Sequence, residues 1–305
     1  PIDVLTSPWA IVPEKLYEIQ EIYGRHLRGE RLDAAALEAK IGPVSQTGNQ
    51  VEEQQRYEII DDVAVISMHG VIAKRMNLFL RISGGVSTEL VAEDIRDALD
   101  RGDIKGIVLD IDSPGGAVDG TQELAQLVLE GRSQKPIVTY TDGLMASAAY
   151  WIGSAASEAY ISSETVETGS IGVVTRHVDY SQYEKKMGIK TTEVYAGKYK
   201  RITSAYKPLS KEGRQSLQEA VDYLYTIFVD QVAGNRGTTS EKVLADMADG
   251  RIFFGKQGID AGLVDGISTF DGAVQRVLAL QRQVEEQAKF ASIFQKAQEE
   301  LTHED

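Results

Sequence analysis

The chain has 305 residues, 42% of them hydrophobic, enough to bury the core of one large domain or two modest ones. Its formal net charge of −14 argues against sequence-independent nucleic-acid binding, which relies on Lys and Arg neutralising phosphates. The absence of cysteine excludes a thiol nucleophile, a thiolate metal site and a disulfide framework.

Residues 1–14 lack a basic segment followed by a long apolar run, so no secretory signal is expected there. No stretch approaches the roughly 18 apolar residues of a spanning helix. The most apolar run, Met76-Asn77-Leu78-Phe79-Leu80, is short and flanked by Arg75 and Arg81. The expectation is a cytoplasmic chain with no membrane partner. Residues 1–42 read as a helical preface, with Pro13 suited to a first turn and Leu16, Ile19, Ile22 and Tyr23 at helical spacing. Residues 43–56 are polar and read as a linker.

From Tyr57 the pattern changes. Residues 63–68 read as a buried strand ending at Gly70, and 86–100 as a helix with Leu90, Val91, Ile95 and Leu99 on one side. Residues 107–111 form a second apolar strand, which Pro114-Gly115-Gly116 breaks as a turn. A helix over 121–129 and a strand over 137–140 follow, then the Ser147 turn and another helix. Apolar strands alternating with helices predict parallel strands covered by helices, an α/β class. Beyond Val173, residues 192–195 read as a strand. Residues 211–235 read as a helix capped by Ser210, with Leu217, Val221, Leu224, Ile227 and Phe228 on its apolar face. A helix over 239–247, a turn into a short strand at 261–265 and a helix from Gly272 complete the pattern. The tail, 281–305, is rich in Gln and Glu and reads as a solvated helix or a connection to a partner.

One serine stands out. In Leu144-Met145-Ala146-Ser147-Ala148-Ala149-Tyr150-Trp151 it lies among small residues at the start of an expected helix. Small neighbours admit other backbone close to the hydroxyl, and a helix N-terminus favours developing negative charge. Such a hydroxyl becomes a nucleophile only when a base takes its proton. His69 and His177 are candidates for a triad, although nothing around either marks one, and His26 and His303 lie in the preface and the tail. A lysine is a second choice: exposed, its pKa is about 10.4, so it needs a dry pocket that favours its neutral form. Lys198 and Lys200, in Gly197-Lys198-Tyr199-Lys200-Arg201-Ile202, are the candidates, and spacing does not choose between them. A carboxylate is a third, rarer activator. Acyl transfer also needs donors for an oxyanion: the Ala148 N–H after the serine, and Gly115 or Gly116, where no Cβ intervenes.

Taken together, these segments resemble peptidase family S49, the signal peptide peptidase A group and its phage relatives. Residues Ile107 to Gly116 resemble that family's strand and oxyanion turn, Met145 to Trp151 its nucleophile segment, and Thr168-Gly169-Ser170-Ile171-Gly172-Val173 its third hallmark. The stretch 197–210 is similar to its general-base segment, and Asp249-Gly250-Arg251-Ile252-Phe253 and Gly262-Leu263-Val264-Asp265 to later landmarks. The resemblance covers about 57–280. It implies a ClpP/crotonase-like fold of stacked βαβ units and a serine endopeptidase with Ser147 as nucleophile, Lys200 as base and Ser170 orienting the lysine. It also implies Gly115 or Gly116 with Ala148 as the oxyanion hole, and self-association, because a neighbour often completes each cleft.

Ala148-Ala149 stands where membrane-bound members usually have Gly-Gly, and no membrane anchor is seen at the start. With the opening Thr6-Ser7-Pro8-Trp9-Ala10-Ile11, this resembles the phage head-maturation branch, whose substrates are scaffold, portal or capsid proteins. The domains expected are thus a helical segment and linker at 1–56, a peptidase domain at 57–280 and a polar helical tail at 281–305. The competing readings are a cytoplasmic housekeeping S49 peptidase, an inactive scaffold protein of the same fold, and a crotonase-type acyl-CoA enzyme. The intact Ser147 and Lys200 speak against the scaffold, and the 168–173 segment against the crotonase. No Asp/His cluster has metal spacing and no loop has a phosphate-cradling pattern, so neither metal nor cofactor is expected.

Overall fold

A computed structural model describes residues 8–17, 19, 57–75 and 85–303, the side chains of 294 and 296–303 excepted. The 43–56 linker, the 76–80 run and most of the expected preface lie outside those residues.

The described chain enters on a short strand, β1 (Trp9–Ile11), ahead of a helical turn at 13–17. This corrects the wholly helical preface. Trp-Ala-Ile finds an open strand edge to pair with, and pairing overrides the weak periodicity of so short a run. The strands β2 (Glu58–Ile60) and β3 (Val63–His69) form a hairpin whose turn, Asp61 and Asp62, is left-handed with φ of 50° and 64°. Asp tolerates that conformation better than most side chains. Then come β4 (Val71–Ala73), β5 (Gly85–Ser87) and α1 (Thr88–Asp100), capped by Ser87 Oγ, which accepts from the Leu90 N–H at 3.4 Å. Val91, Ile95 and Leu99 are buried as expected; Leu90, expected beside them, is 38% exposed.

The next elements are β6 (Gly106–Asp112), β7 (Gly115–Ala117), α2 (Thr121–Gly131), β8 (Ile137–Thr141), β9 (Leu144–Ala146) and α3 (Ala148–Gly153). Gly115-Gly116, expected as a turn, is therefore the start of a strand. The backbone there is packed too closely for side chains, since a Cβ on Gly116 would lie 1.9 Å from the Ile72 carbonyl oxygen. Beyond α3 follow β10 (Glu158–Ile161), β11 (Glu167–Gly169), α4 (Ser181–Met187), α5 (Lys211–Asn235) and α6 (Ser240–Asp246). The chain closes with β12 (Ile252–Phe254), α7 (Gly255–Ala261), β13 (Gly266–Ile267) and α8 (Phe270–His303), which runs unbroken through 281.

Residues 192–195 are not a strand: they pair with no other segment among the described residues, and Val194 is 96% exposed. On α5 the apolar face is only partly covered. Phe228 is buried, whereas Leu217, Val221 and Leu224, nearer its start, are half-buried.

Three sheets organise these elements. The largest has the order β13-β10-β8-β6-β3-β2 and is parallel except for the β2–β3 hairpin. Its side chains alternate as a pleat requires. Val63, Val65, Val108 and Val138 face Ala273, Val274 and Val277 of α8. Ala64, Ile66, Ile107, Leu109 and Ile111 join the main core with α1, α2 and α3. Two small sheets, β1-β7-β4-β5 and β12-β11-β9, gather at the carboxyl ends of these strands. The expected α/β class of stacked βαβ units is the one observed.

Candidate active site

In the second small sheet β9 and β11 run parallel, with Ala146 opposite Gly169. Ser147 is thus the first residue past β9 and Ser170 the first past β11. Ser147 takes φ 55° and ψ −118°, which side-chain-bearing residues rarely adopt. Two backbone bonds hold it there: its N–H donates to the Gly169 carbonyl at 2.8 Å and its own carbonyl accepts from the Trp151 N–H at 2.8 Å. The hydroxyl is looser. Among the described residues its hydrogen bond is to the Gly172 carbonyl at 3.5 Å, the outer limit of such a bond.

The short helix α3 anchors this turn, with all six residues buried. Trp151 stacks on Phe228 with ring centroids 4.3 Å apart, and its indole N–H donates to Gln231 Oε1. Tyr150 donates from its hydroxyl to the Leu263 carbonyl at 3.0 Å, and burial pushes its phenol well above the ordinary range. The nucleophile candidate therefore sits on a rigid base.

The expected oxyanion donors surround Ser147 to different degrees. Ala148 opens α3, so its N–H has no intrahelical acceptor. Gly115 packs against the serine: a Cβ there would lie 2.9 Å from Ser147 Cβ. Its N–H, however, already donates to Ser113 Oγ at 3.1 Å. Gly116 lies in the β1–β7 ladder opposite Ala10. Flanking bonds from the Val12 N–H to the Pro114 carbonyl (2.9 Å) and from the Val118 N–H to the Pro8 carbonyl (3.4 Å) fix the alternation. They make Ala10 and Gly116 a hydrogen-bonded pair, with the Gly116 N–H aimed at the Ala10 carbonyl.

Ser170 is buried and also left-handed, with φ 52°, and its N–H donates to the Arg251 carbonyl at 2.8 Å. That carbonyl belongs to the Asp249-to-Phe253 landmark, which supplies β12, the antiparallel partner of β11. The other landmark has a clamping role. Asp265 accepts from Arg236 at 2.8 and 3.0 Å and from the Ala159 N–H at 2.7 Å, tying α5 to β10.

The candidate bases are not gathered here. Lys198 and Lys200 are exposed, in a stretch of turns, and no bond joins either to Ser147 or Ser170. Lys198 Nζ lies 5.2 Å from the centre of the Tyr199 ring. The histidines have other partners: His69 Nε2 is 3.1 Å from Asp110 Oδ2, and His177 Nε2 is 2.9 Å from the Ser204 carbonyl. Sequence reading missed β1 as a neighbour of the serine. Its only signal is the apolar run Trp9-Ala10-Ile11-Val12 held between Pro8 and Pro13.

Residues 130–285 match the model of peptidase family S49. A protease of Methanocaldococcus jannaschii is 37% identical over 185 residues, covering 60% of this chain and 59% of that protein. Capsid assembly protease C of Escherichia phage lambda is 28% identical over 244 residues, covering 79% of this chain and 55% of that protein. The chain thus spans somewhat more than half the length of these relatives. Among solved structures, a ClpP1 mutant from Listeria monocytogenes superimposes with a TM-score of 0.44 and 14% identity, over 68% of this chain and 94% of that chain.

Proposed function

The chain belongs to peptidase family S49, and we propose on that premise that it is a serine endopeptidase with Ser147 as nucleophile and Lys200 as general base. In the reaction, Ser147 Oγ attacks a peptide carbonyl carbon while its proton passes to the neutral Lys200 amine. The oxyanion that forms is held by the N–H groups of Ala148 and Gly116, with Gly115 shaping the wall. Collapse breaks the C–N bond, the leaving amine takes the proton from the lysine, and water then releases the acyl group by the same steps. Ser170 orients the amine.

The observation that carries this reading is the strained, buried Ser147 held against Gly115 and Gly169. An uncommon backbone at one serine is stored where a hydroxyl must be aimed. Lys200 reaches it in an assembly of several copies. Around the lysine segment Tyr183, Met187, Val194, Tyr195 and Tyr199 are all more than half exposed. So much apolar surface fits a covered interface better than open solvent.

Within this chemistry we favour the phage or prophage role, cleavage of scaffold, portal or capsid proteins, on the likeness to the lambda protease over 79% of the chain. The archaeal relative, at 37% identity, favours a second reading, a housekeeping peptidase acting on peptides. Among the described residues no helix is long and apolar enough to cross a membrane. A fluorophosphonate probe tests the chemistry. It is expected to label the protein on Ser147, and Ser147→Ala is expected to lose both labelling and casein hydrolysis; hydrolysis that survives the substitution removes the proposal.

A further inference from the structure

The segment containing Trp9–Ile11 runs between two others and is antiparallel to both. On one side it pairs with β7, in the register Trp9–Ala117, Ala10–Gly116 and Ile11–Gly115. On the other, Trp9 exchanges two bonds with Val174, N–H to carbonyl at 2.9 and 2.8 Å. Ser147 stands beside it: a Cβ placed on Gly115 would fall 2.3 Å from the Ala10 carbonyl oxygen and 2.9 Å from Ser147 Cβ. That carbonyl is also the partner of the Gly116 N–H, a donor assigned above to the oxyanion. The geometry therefore brings a peptide carbonyl next to the serine on a fully extended backbone.

We propose that residues 8–12 are an internal pseudosubstrate: they fill the track taken by an extended peptide substrate and leave it before that peptide reaches Ser147. This rests on the serine-peptidase reading of the same site. The occupant indicates what the track accepts. Backbone groups on both sides give affinity without regard to sequence, as in strand addition to a sheet edge. Ala10, whose carbonyl faces the serine, is fully buried, so a small side chain fits before the cleaved bond. Trp9 and Ile11 seat in a separate apolar cluster with Leu16, Ile19 and Val71. The indole N–H of Trp9 is buried without a hydrogen-bond partner among the described residues, a desolvation cost that departure of the segment relieves.

The chain has no native cysteine, so one engineered disulfide isolates the effect. Trp9→Cys with Ala117→Cys joins residues directly opposite at a non-hydrogen-bonded position of the ladder. Such pairs have Cα atoms about 4.5 Å apart, within disulfide reach. The reduced double variant is expected to hydrolyse casein. Oxidation is expected to lower the rate about tenfold or more, and dithiothreitol to restore it, because the competent fraction is locked away. Equal rates in the two states overturn the proposal.

A binding measurement separates this from failure of the peptidase reading. With Ser147→Ala added, a fluorescein-labelled peptide with the sequence of residues 6–14 is expected to bind the reduced form and not the oxidised form. Equal binding to both, or binding to neither, overturns the pseudosubstrate. Gated binding without hydrolysis in any active-serine variant upholds it and sinks the peptidase. Should the double variant fail to fold, Trp9→Ala decides: KM is expected to fall about tenfold with kcat unchanged, and an unchanged or higher KM overturns the proposal.

Discussion

Ser147 and Ser170 leave neighbouring parallel strands at one register, and both carry left-handed backbone, with φ of 55° and 52°. The pairing of Ala146 with Gly169 makes each serine the next residue out, so the two turns form side by side. The Ser147 N–H donating to the Gly169 carbonyl then ties one turn to the base of the other. Left-handed backbone costs a side-chain-bearing residue about 1–2 kcal/mol. Pairing across the sheet holds both residues in this backbone side by side.

That relationship sets an expectation for Ser170. Ser170→Gly relieves the backbone strain of about 1–2 kcal/mol and gives back about 0.4–1 kcal/mol through a freer unfolded chain. Urea denaturation is expected to show equal or slightly higher stability, while kcat falls because the hydroxyl is gone. Ser170→Ala is expected to lose kcat to the same degree without the gain in stability. Full kcat in both variants means that Ser170 does not position the base.

The lysines are separated by substitution and by pH. Lys200→Met is expected to abolish turnover, and Lys198→Met to leave most of it. A lysine accepts a proton only when neutral, so kcat/KM is expected to rise with pH. The reverse order of the two variants moves the base to Lys198, and a profile falling with pH excludes an amine. The same assay run against protein concentration is expected to show specific activity rising with association.

Legibility divided along physical lines. The strands at 63–68, 107–111 and 137–140 showed in the sequence because a buried parallel strand is a continuous apolar run, and their burial follows from that pattern. The helix at 211–235 showed because Ser210 caps it and its apolar residues keep helical spacing. The three-residue strands did not show. Trp9–Ile11, Gly115–Ala117 and Leu144–Ala146 are too short for periodicity, and only their partners make them strands. The tight packing of the Ser147 turn was legible from its small neighbours, since Ala148 and Ala149 are fully buried. No contact between Ser147 and Lys200 is present among the described residues, because the lysine lies on a segment that the described fold leaves in solvent.

Glycine substitutions test the close approach of backbone around the site. Gly116→Ala would put a Cβ 1.9 Å from the Ile72 carbonyl oxygen, a backbone atom that a side-chain rotation cannot move aside. The β4–β7 contact has to open, and the variant is expected to be insoluble or to melt far below the parent. Gly102→Ala is the control. A Cβ there meets nothing within 4 Å, and the melting temperature is expected to hold or rise slightly. Similar melting behaviour in the two variants would remove the close approach as the reason for glycine at 116.

The base under α3 has its own expectation. Trp151→Ala removes a fully buried ring stacked on Phe228 and leaves Gln231 without its donor. Loss of a buried aromatic costs about 3–5 kcal/mol, so chemical denaturation is expected to shift by that order. Activity is expected to fall even where the variant is folded, because loss of the ring loosens α3, whose backbone N–H at 151 holds the Ser147 carbonyl. Trp151→Phe keeps the stack and is expected to recover most of the stability; equal losses in both variants would contradict stacking as the main contribution.

The clamp between α8 and β10 gives a pH-dependent expectation. Glu158 accepts from Arg276 at 2.5 and 2.6 Å and from the Tyr160 hydroxyl at 2.8 Å. The bonds from Arg276 hold its carboxyl below the ordinary Glu value of 4.5, against an opposing push from partial burial. A lowered folded value means that the charged form is the one folding favours. The stabilisation is therefore present above the unfolded value and disappears as pH falls through the folded one. Glu158→Gln keeps the shape and removes the charge. It is expected to cost about 1–2 kcal/mol near neutral pH, with the gap to the parent closing as pH falls below the ordinary Glu value of 4.5 and the parent's own carboxyl protonates. Calorimetry of both proteins across that range reads the difference directly. A gap that stays constant through acid pH, past the point where the parent's carboxyl is protonated, would show that the contact acts through packing and not through its charge.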